Sequence, residues 1–269
     1  MTSIGLVWEN MNYENKCFTM KFLTIKYLLL TIIFFTMIKT SAQDQFSVLL
    51  FTQHDDWHYN SIPVAVQAFE EMATENQFIF DWTQRPNDLI EKLPAYDVVI
   101  FMNANANYLM PKHMIALKAF MKRGGGFLGI HGTADGENDN TWFDGLVGAK
   151  FVNHPKLQAA IVNVEDKDFS ATWHLPKKWL RSDEWYNFEN MNLDKLTILM
   201  TVDEASYDFT AGYDDIPLKG MGEKHPISWY QEYEGGRSFY TALGHKPESF
   251  KDKNFLDHIF GAIYWLKGD

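Results

Sequence analysis

Apolar and polar positions alternate along residues 46–130 with two distinct periods. Continuous apolar runs of strand length occur at Phe46–Thr52 (FSVLLFT), Phe78–Trp82 (FIFDW), Asp97–Met102 (DVVIFM) and Phe127–Ile130. Between them lie stretches whose apolar residues recur at the 3.6 spacing of a helix. Ser61–Glu75 reads as a helix with Ser61 as N-cap and Pro63 early. Asn87–Leu93 reads as a short helix with Asn87 as cap, and Met110–Lys122 as a helix with Pro111 in its first turn. Strands that are apolar on both faces, each followed by a helix, imply a parallel sheet covered on both sides. The fold class expected is α/β, a doubly wound, flavodoxin-like, mostly parallel sheet with helices on both faces and an elaborated second half.

The second half is less regular. Leu157–Val164 and Leu196–Thr201 are strand-like. Ile227–Tyr233 and Arg237–Leu243 flank Glu234-Gly235-Gly236, which is a hairpin signal, and Phe255–Leu266 is an amphipathic closing helix. The three glycines at 124–126 stand between a helix end and a strand. A phosphate-cradling loop stands between a strand and a helix, so this run is read as a helix cap and turn.

The N-terminal region changes the domain picture. Lys21 and Lys26 precede an apolar stretch, Tyr27–Ile38, which Thr40-Ser41-Ala42 follows with small residues. This is the pattern of a secretory signal peptide cleaved near Ala42, with Met20 as an alternative start. The competing reading is an uncleaved membrane anchor. Residues 1–42 are therefore read as extension and signal, and 43–269 as a single domain, exported to the periplasm or beyond and free of the membrane after cleavage. Removing residues 1–42 takes away four lysines and two acids, moving the formal charge from −11 to −13. Such an acidic chain does not attract nucleic acid. Its only cysteine, Cys17, precedes the cleavage point, which excludes disulfides and thiolate chemistry from the exported chain. The 16% aromatic content suits both a large core and stacking on sugar rings.

In doubly wound sheets, ligands bind beyond the carboxyl ends of the strands. The polar residues there are His54 and His58 after the first strand, Asn103 after the third, and His131 and Asp135 after the fourth. In many α/β enzymes a sharp small-residue turn after a strand carries a Ser or Cys nucleophile. In GGGFLGIHGTADG that tip is His131. Histidine exchanges protons near neutral pH, so His131, His58 and Asp135 are candidate acid–base groups. Asn103 and His54 are candidate substrate contacts. Further polar clusters carrying Glu184, His225, Trp229 and His245 lie in the second half, where sequence alone does not place them beside His131, and Asp183-Glu184 reads equally well as a solvated loop. His154, His174 and His258 are read as surface or core histidines, and His113 as an inert residue on the polar stripe of its helix. His58, His131, His245 and Glu184 are also types that a divalent ion accepts. They come from separate segments with no short-range ligand motif, so proton transfer without a metal is preferred and no cofactor is assigned.

The ordered set WHYNSI, GGGFLGIHGTAD, HP, LP…SDEWYNF, HPISWY, GGRSFYTALGH and FLDHIFGAIYW resembles the ThuA-like, or trehalose-utilisation, family from about residue 46 to 266. The resemblance implies a class I glutamine amidotransferase-like fold. Histidine stands where those amidotransferases carry the elbow cysteine, which argues against glutamine hydrolysis. The recurring motif positions of the family match His58, His131, Asp135, Glu184, His225, Trp229 and His245, which implies Glu184 as a further acid–base group and Trp229, His225 and His245 as substrate contacts. One departure is Phe169-Ser170, where the family often has His-Pro. The implied substrate is a small carbohydrate, a glucoside or keto-sugar, handled by a hydrolase, lyase or isomerase. A non-catalytic carbohydrate-binding or scaffold protein is the alternative.

Overall fold

The computed structural model describes residues 46–53, 57–136, 140–213 and 218–268; the segment read as a signal peptide and His54 lie outside the described residues. The first half follows the expected alternation: β1 (Ser47–Thr52), α1 (Ser61–Asn76), β2 (Ile79–Thr83), α2 (Pro86–Lys92), β3 (Val98–Met102), α3 (Pro111–Lys122) and β4 (Gly126–Ile130). The second half adds α4 (Thr141–Val147), β5 (Lys150–Asn153), β6 (Gln158–Val164), β7 (Lys178–Asp183), β8 (Asn187–Glu189), β9 (Thr197–Val202), β10 (Pro226–Tyr233), β11 (Gly236–Thr241) and α5 (Lys253–Leu266).

Among the described residues, nine strands form one sheet in the order β2-β1-β3-β4-β11-β10-β9-β6-β7, and β5 pairs with β8 separately. From β2 to β11 every pairing is parallel. From β11 onward every pairing is antiparallel. The β10–β11 hairpin is therefore the hinge between a doubly wound core and a meandering extension. β1, β3 and β4 are buried at every position, as the continuous apolar runs require.

Helices cover both faces of the parallel part. On one face Phe69 of α1 packs on Phe250, which packs on Phe255 of α5. On the other, Phe143 of α4 packs on Phe101 and Phe127, and Lys118 of α3 lies over Trp142. The glycine run does what a cap requires. Gly124 has φ +94°, and the Gly124 and Gly125 amides donate to the Met121 and Phe120 carbonyls.

Three local expectations are corrected. Ser61 is the first residue of α1 rather than its cap. Its hydroxyl donates back to the His58 carbonyl at 2.8 Å, tying the helix start to the preceding loop. Asn87 lies inside α2, which starts at Pro86; Thr83 and Arg85 instead bind Asp88 across the start of that helix. His113 is buried rather than on a polar stripe, and its Nδ1 accepts the Met110 amide at 3.1 Å at the start of α3.

Candidate active site

The topology decides which loops meet. Because β11 runs parallel to β4 and the strands beyond it alternate in direction, one edge of the sheet gathers two kinds of strand end. These are the carboxyl ends of β1, β3, β4, β11, β9 and β7 and the amino ends of β10 and β6. His58 follows β1, Asn103 follows β3, His131 follows β4, His245 follows β11, Glu184 follows β7, and His154 precedes β6. Residues far apart in sequence thereby share one mouth.

His131 sits on a true elbow. Its φ is +50°, a left-handed conformation that histidine and asparagine adopt more readily than most residues, and Asn103 on the neighbouring strand end has φ +52°. Asn103 Oδ1 accepts the Gly132 amide at 3.1 Å, and its Nδ2 donates to Ser61 Oγ at 3.3 Å. Tyr240 donates its hydroxyl to the His131 carbonyl at 2.8 Å. Thr133 Oγ1 donates to the Phe101 carbonyl. These bonds brace the two left-handed residues of the elbow.

The His131 imidazole is fully buried, and its Nδ1 donates to the Ala242 carbonyl at 2.7 Å. That bond fixes the ring and aims Nε2 at three partners: the Tyr186 hydroxyl at 2.9 Å, His245 Nδ1 at 3.2 Å and Glu184 Oε2 at 3.4 Å. Glu184 Oε2 also lies 3.2 Å from His245 Nδ1 and 3.6 Å from His154 Nε2. The rings of His58, His131 and His245 form a triangle with centroids 5.1–5.3 Å apart.

Burial acts on all these groups, and their neighbours then separate them. Burial alone lowers His131, but the Glu184 hydrogen bond and the charges of Asp183 and Glu184 outweigh it and hold the imidazole above its ordinary range. Burial raises Glu184, yet the hydrogen bond from His131 and the nearby imidazoles leave it below the usual carboxylate range. His245 is pushed down to about 4 by burial and by His131, against the pull of Glu184. The Tyr186 phenol is raised by burial, so it remains an O–H.

A cavity of about 530 Å³ opens above this cluster, with His58, Glu184, Tyr186 and His245 exposed to it, Asp135 and His154 on the wall, and Trp57, Phe151 and Tyr213 as aromatic surfaces. His131 lies beneath the floor. The volume and the aromatic walls are those of a small-molecule pocket.

The structure brings together His58, His131, Asp135, Glu184 and His245 from among the expected residues. Three expected substrate contacts are corrected. Trp229 is buried among Tyr240 and Phe188 with its indole N–H bonded to the Val147 carbonyl, so it cannot stack on a ligand. His225 is buried behind the site, linking Glu204 to the Tyr186 carbonyl at 2.8 Å each. Asn103 is elbow scaffolding.

His154, set aside from the sequence, stands on the cavity wall, stacked on Tyr186. Asp183 is a second omission. Its buried carboxylate accepts the Gly244 and His245 amides at 3.0 and 3.2 Å and pairs with Arg181, fixing the turn that presents His245. Its adjacency to Glu184 in SDEWY was the available signal.

A doubly wound sheet with a histidine elbow and a histidine–carboxylate cluster defines an α/β protein whose elbow carries an imidazole. The chain belongs to the ThuA family, described as trehalose utilisation, which matches residues 47–266. It is similar to a ThuA-like protein of Bacteroides uniformis ATCC 8492 (TM-score 0.70, 23% identity, covering 85% of this chain and 94% of that one). It is also similar to a ThuA-like protein of Parabacteroides merdae ATCC 43184 (TM-score 0.67, 16% identity, 83% and 90%). A β-galactosidase from Bacillus circulans sp. alkalophilus shares the fold over 81% of this chain and 31% of that one (TM-score 0.52, 13% identity). No curated protein matches the chain.

Proposed function

We propose that this protein is an extracytoplasmic enzyme that performs acid–base chemistry on a small carbohydrate, a glucoside or keto-sugar, in the cavity above His131. The observation that supports this reading is the convergence of His58, His131, Glu184 and His245 at the base of an aromatic-walled cavity. The family's description in terms of trehalose utilisation favours the same substrate class. Isomerisation, elimination and hydrolysis beside a carbonyl all need one group to take a proton and another to return it. Asp135 and His154 reach the cavity from its wall, Glu184 borders it, and His131 lies beneath, paired with Glu184. In this reading Trp57, Phe151 and Tyr213 hold the apolar face of the sugar, and the buried His131 acts through Glu184 rather than by touching substrate.

The test is a panel of glucosides and 3-keto-glucosides, including trehalose, incubated with the protein and followed by product analysis. Turnover is expected for at least one member, reduced about 100-fold or more in Glu184→Gln, in line with loss of a proton-transferring group. A folded sample that turns over none of them removes the reading. Retained sugar affinity without turnover would instead return the chain to the class of binding modules.

A further inference from the structure

We propose that His58, His131, Glu184 and His245 form a binding site for one divalent first-row transition ion, zinc being the best fit, with an open coordination position facing the cavity. This deepens the carbohydrate reading and rests on it only for the identity of the ligand at the open position.

The distances carry the argument. One donor atom from each of the four residues lies within 4.8 Å of all the others. Three are resolved pairwise: His131 Nε2 to His245 Nδ1 is 3.2 Å, His245 Nδ1 to Glu184 Oε2 is 3.2 Å, and His131 Nε2 to Glu184 Oε2 is 3.4 Å. Tetrahedral ligands at bond lengths of about 2.0–2.1 Å stand about 3.3–3.4 Å apart along each edge. Direct charge-assisted hydrogen bonds between such groups would close to about 2.7–2.9 Å. Ordinary hydrogen bonds in the same site do close, as the 2.7 Å bond from His131 Nδ1 to the Ala242 carbonyl shows. The three donor atoms are thus spaced as edges of a coordination polyhedron.

The surroundings fit as well. A metal-bound histidine characteristically donates its other ring N–H to a carbonyl or carboxylate, which fixes the ring and leaves the second nitrogen to the ion. His131 does this through Ala242. Asp183 fixes the backbone that carries His245, and the Ser61 hydroxyl bonds to the carbonyl of His58. Three imidazoles and one carboxylate favour Zn²⁺, Fe²⁺ or Ni²⁺ over Mg²⁺ or Ca²⁺, which prefer all-oxygen shells. His131 lies below the cavity while His58, Glu184 and His245 border it, so the fifth position points into the cavity. The ligand class that suits it is a sugar offering one oxygen, a hydroxyl or a carbonyl, to that position. With an ion bound, Glu184 is a ligand, and proton transfer falls to Asp135 and His154.

The experiment uses tag-free protein stripped with a chelator and titrated separately with Zn²⁺, Mn²⁺ and Mg²⁺ by calorimetry, with elemental analysis after dialysis. One Zn²⁺ per chain is expected, with a rise in melting temperature. Glu184→Gln and His245→Asn should each weaken binding at least 10-fold, while His174→Asn, outside the cavity, should not. Binding below stoichiometry in folded protein overturns the proposal, as does affinity unmoved by both cluster variants, or Mg²⁺ held as tightly as Zn²⁺. Stoichiometric Zn²⁺ in a chain that turns over no sugar would support the site while counting against the carbohydrate reading. Sugar turnover by a chain that binds no ion would do the reverse.

Discussion

Asn103 and His131 stand side by side on adjacent strand ends, both left-handed. Asn103 tolerates its own φ of +52° and supplies the oxygen that holds the Gly132 amide. Asn103→Ala removes both side-chain bonds, to Gly132 and to Ser61, and adds the left-handed penalty of an ordinary residue, so it is expected to cost about 3 kcal/mol. Asn103→Gly removes only the two bonds and should cost about 1–2 kcal/mol. Urea unfolding of the two variants separates the contributions; equal losses would mean that backbone strain plays no part. Tyr186 is a positioning residue, because its hydroxyl meets His131 Nε2 while its ring packs on Phe151. Tyr186→Phe keeps the packing, so stability should change by about 1 kcal/mol or less. The pH profile of turnover should shift nevertheless, because the His131–Glu184 couple loses a hydrogen bond. An unchanged profile would leave Tyr186 a purely structural role.

At the scale of elements, α5 shows how a helix glycine can be a packing requirement. Gly261 faces the 169–172 segment so closely that a Cβ would land on the backbone of Ser170 and Ala171, and the Ser170 hydroxyl donates to the Gly261 carbonyl at 2.8 Å. Intrinsic propensity favours Gly→Ala in a helix by about 1 kcal/mol. Here two backbones must separate, so Gly261→Ala is expected to destabilise by about 2 kcal/mol or more. A melting temperature at or above that of the parent would refute the close contact. β7 shows why an element can escape a reading of pattern. It alternates cleanly between exposed and buried, but its inward residues are Trp179, Arg181 and Asp183, and Leu180 points outward. Arg181 is admitted to the interior by Asp183, Asp252 and Ser249. Hydropathy inverts along such a strand, and only its partners show why. β5 and β8, at four and three residues, are too short to carry a period.

For the molecule as a whole, the core records its dependence on pH through His258. This imidazole is fully buried between α5 and the sheet. Its Nδ1 donates to the Ala171 carbonyl at 2.8 Å, and burial pushes its pKa down to about 3 from an ordinary 6.5. The fold therefore favours neutral His258. The associated stability is complete above about pH 6.5 and declines as the pH falls toward 3. Between pH 7 and pH 5 the loss from this residue is about 2 kcal/mol. His258→Gln, which retains a donor, should flatten the pH dependence of the urea midpoint by that amount; an unchanged slope would exclude His258 as its source. The same scale explains the site. Its donors come from β4, β7 and β11 and the loop after β1, joined only because the sheet continues antiparallel beyond β11 and returns β7 to the edge that β4 opens on.

The sequence by itself determined the parallel core, because strands buried on both faces must be continuously apolar and the helices between them must show a 3.6 period. It also determined which residue types stood at the carboxyl ends of those strands, and so that His131 occupied an elbow. Only the tertiary structure decided who meets His131. Glu184, Tyr186 and His154 arrive through antiparallel pairings whose register no local pattern encodes, and Trp229 and His225 are removed from the cavity by burial that their motifs do not reveal. Periodicity reports the environment of a residue along its own element. A site assembled from six strand ends depends on the order and direction of strands, which are settled by packing across the whole sheet.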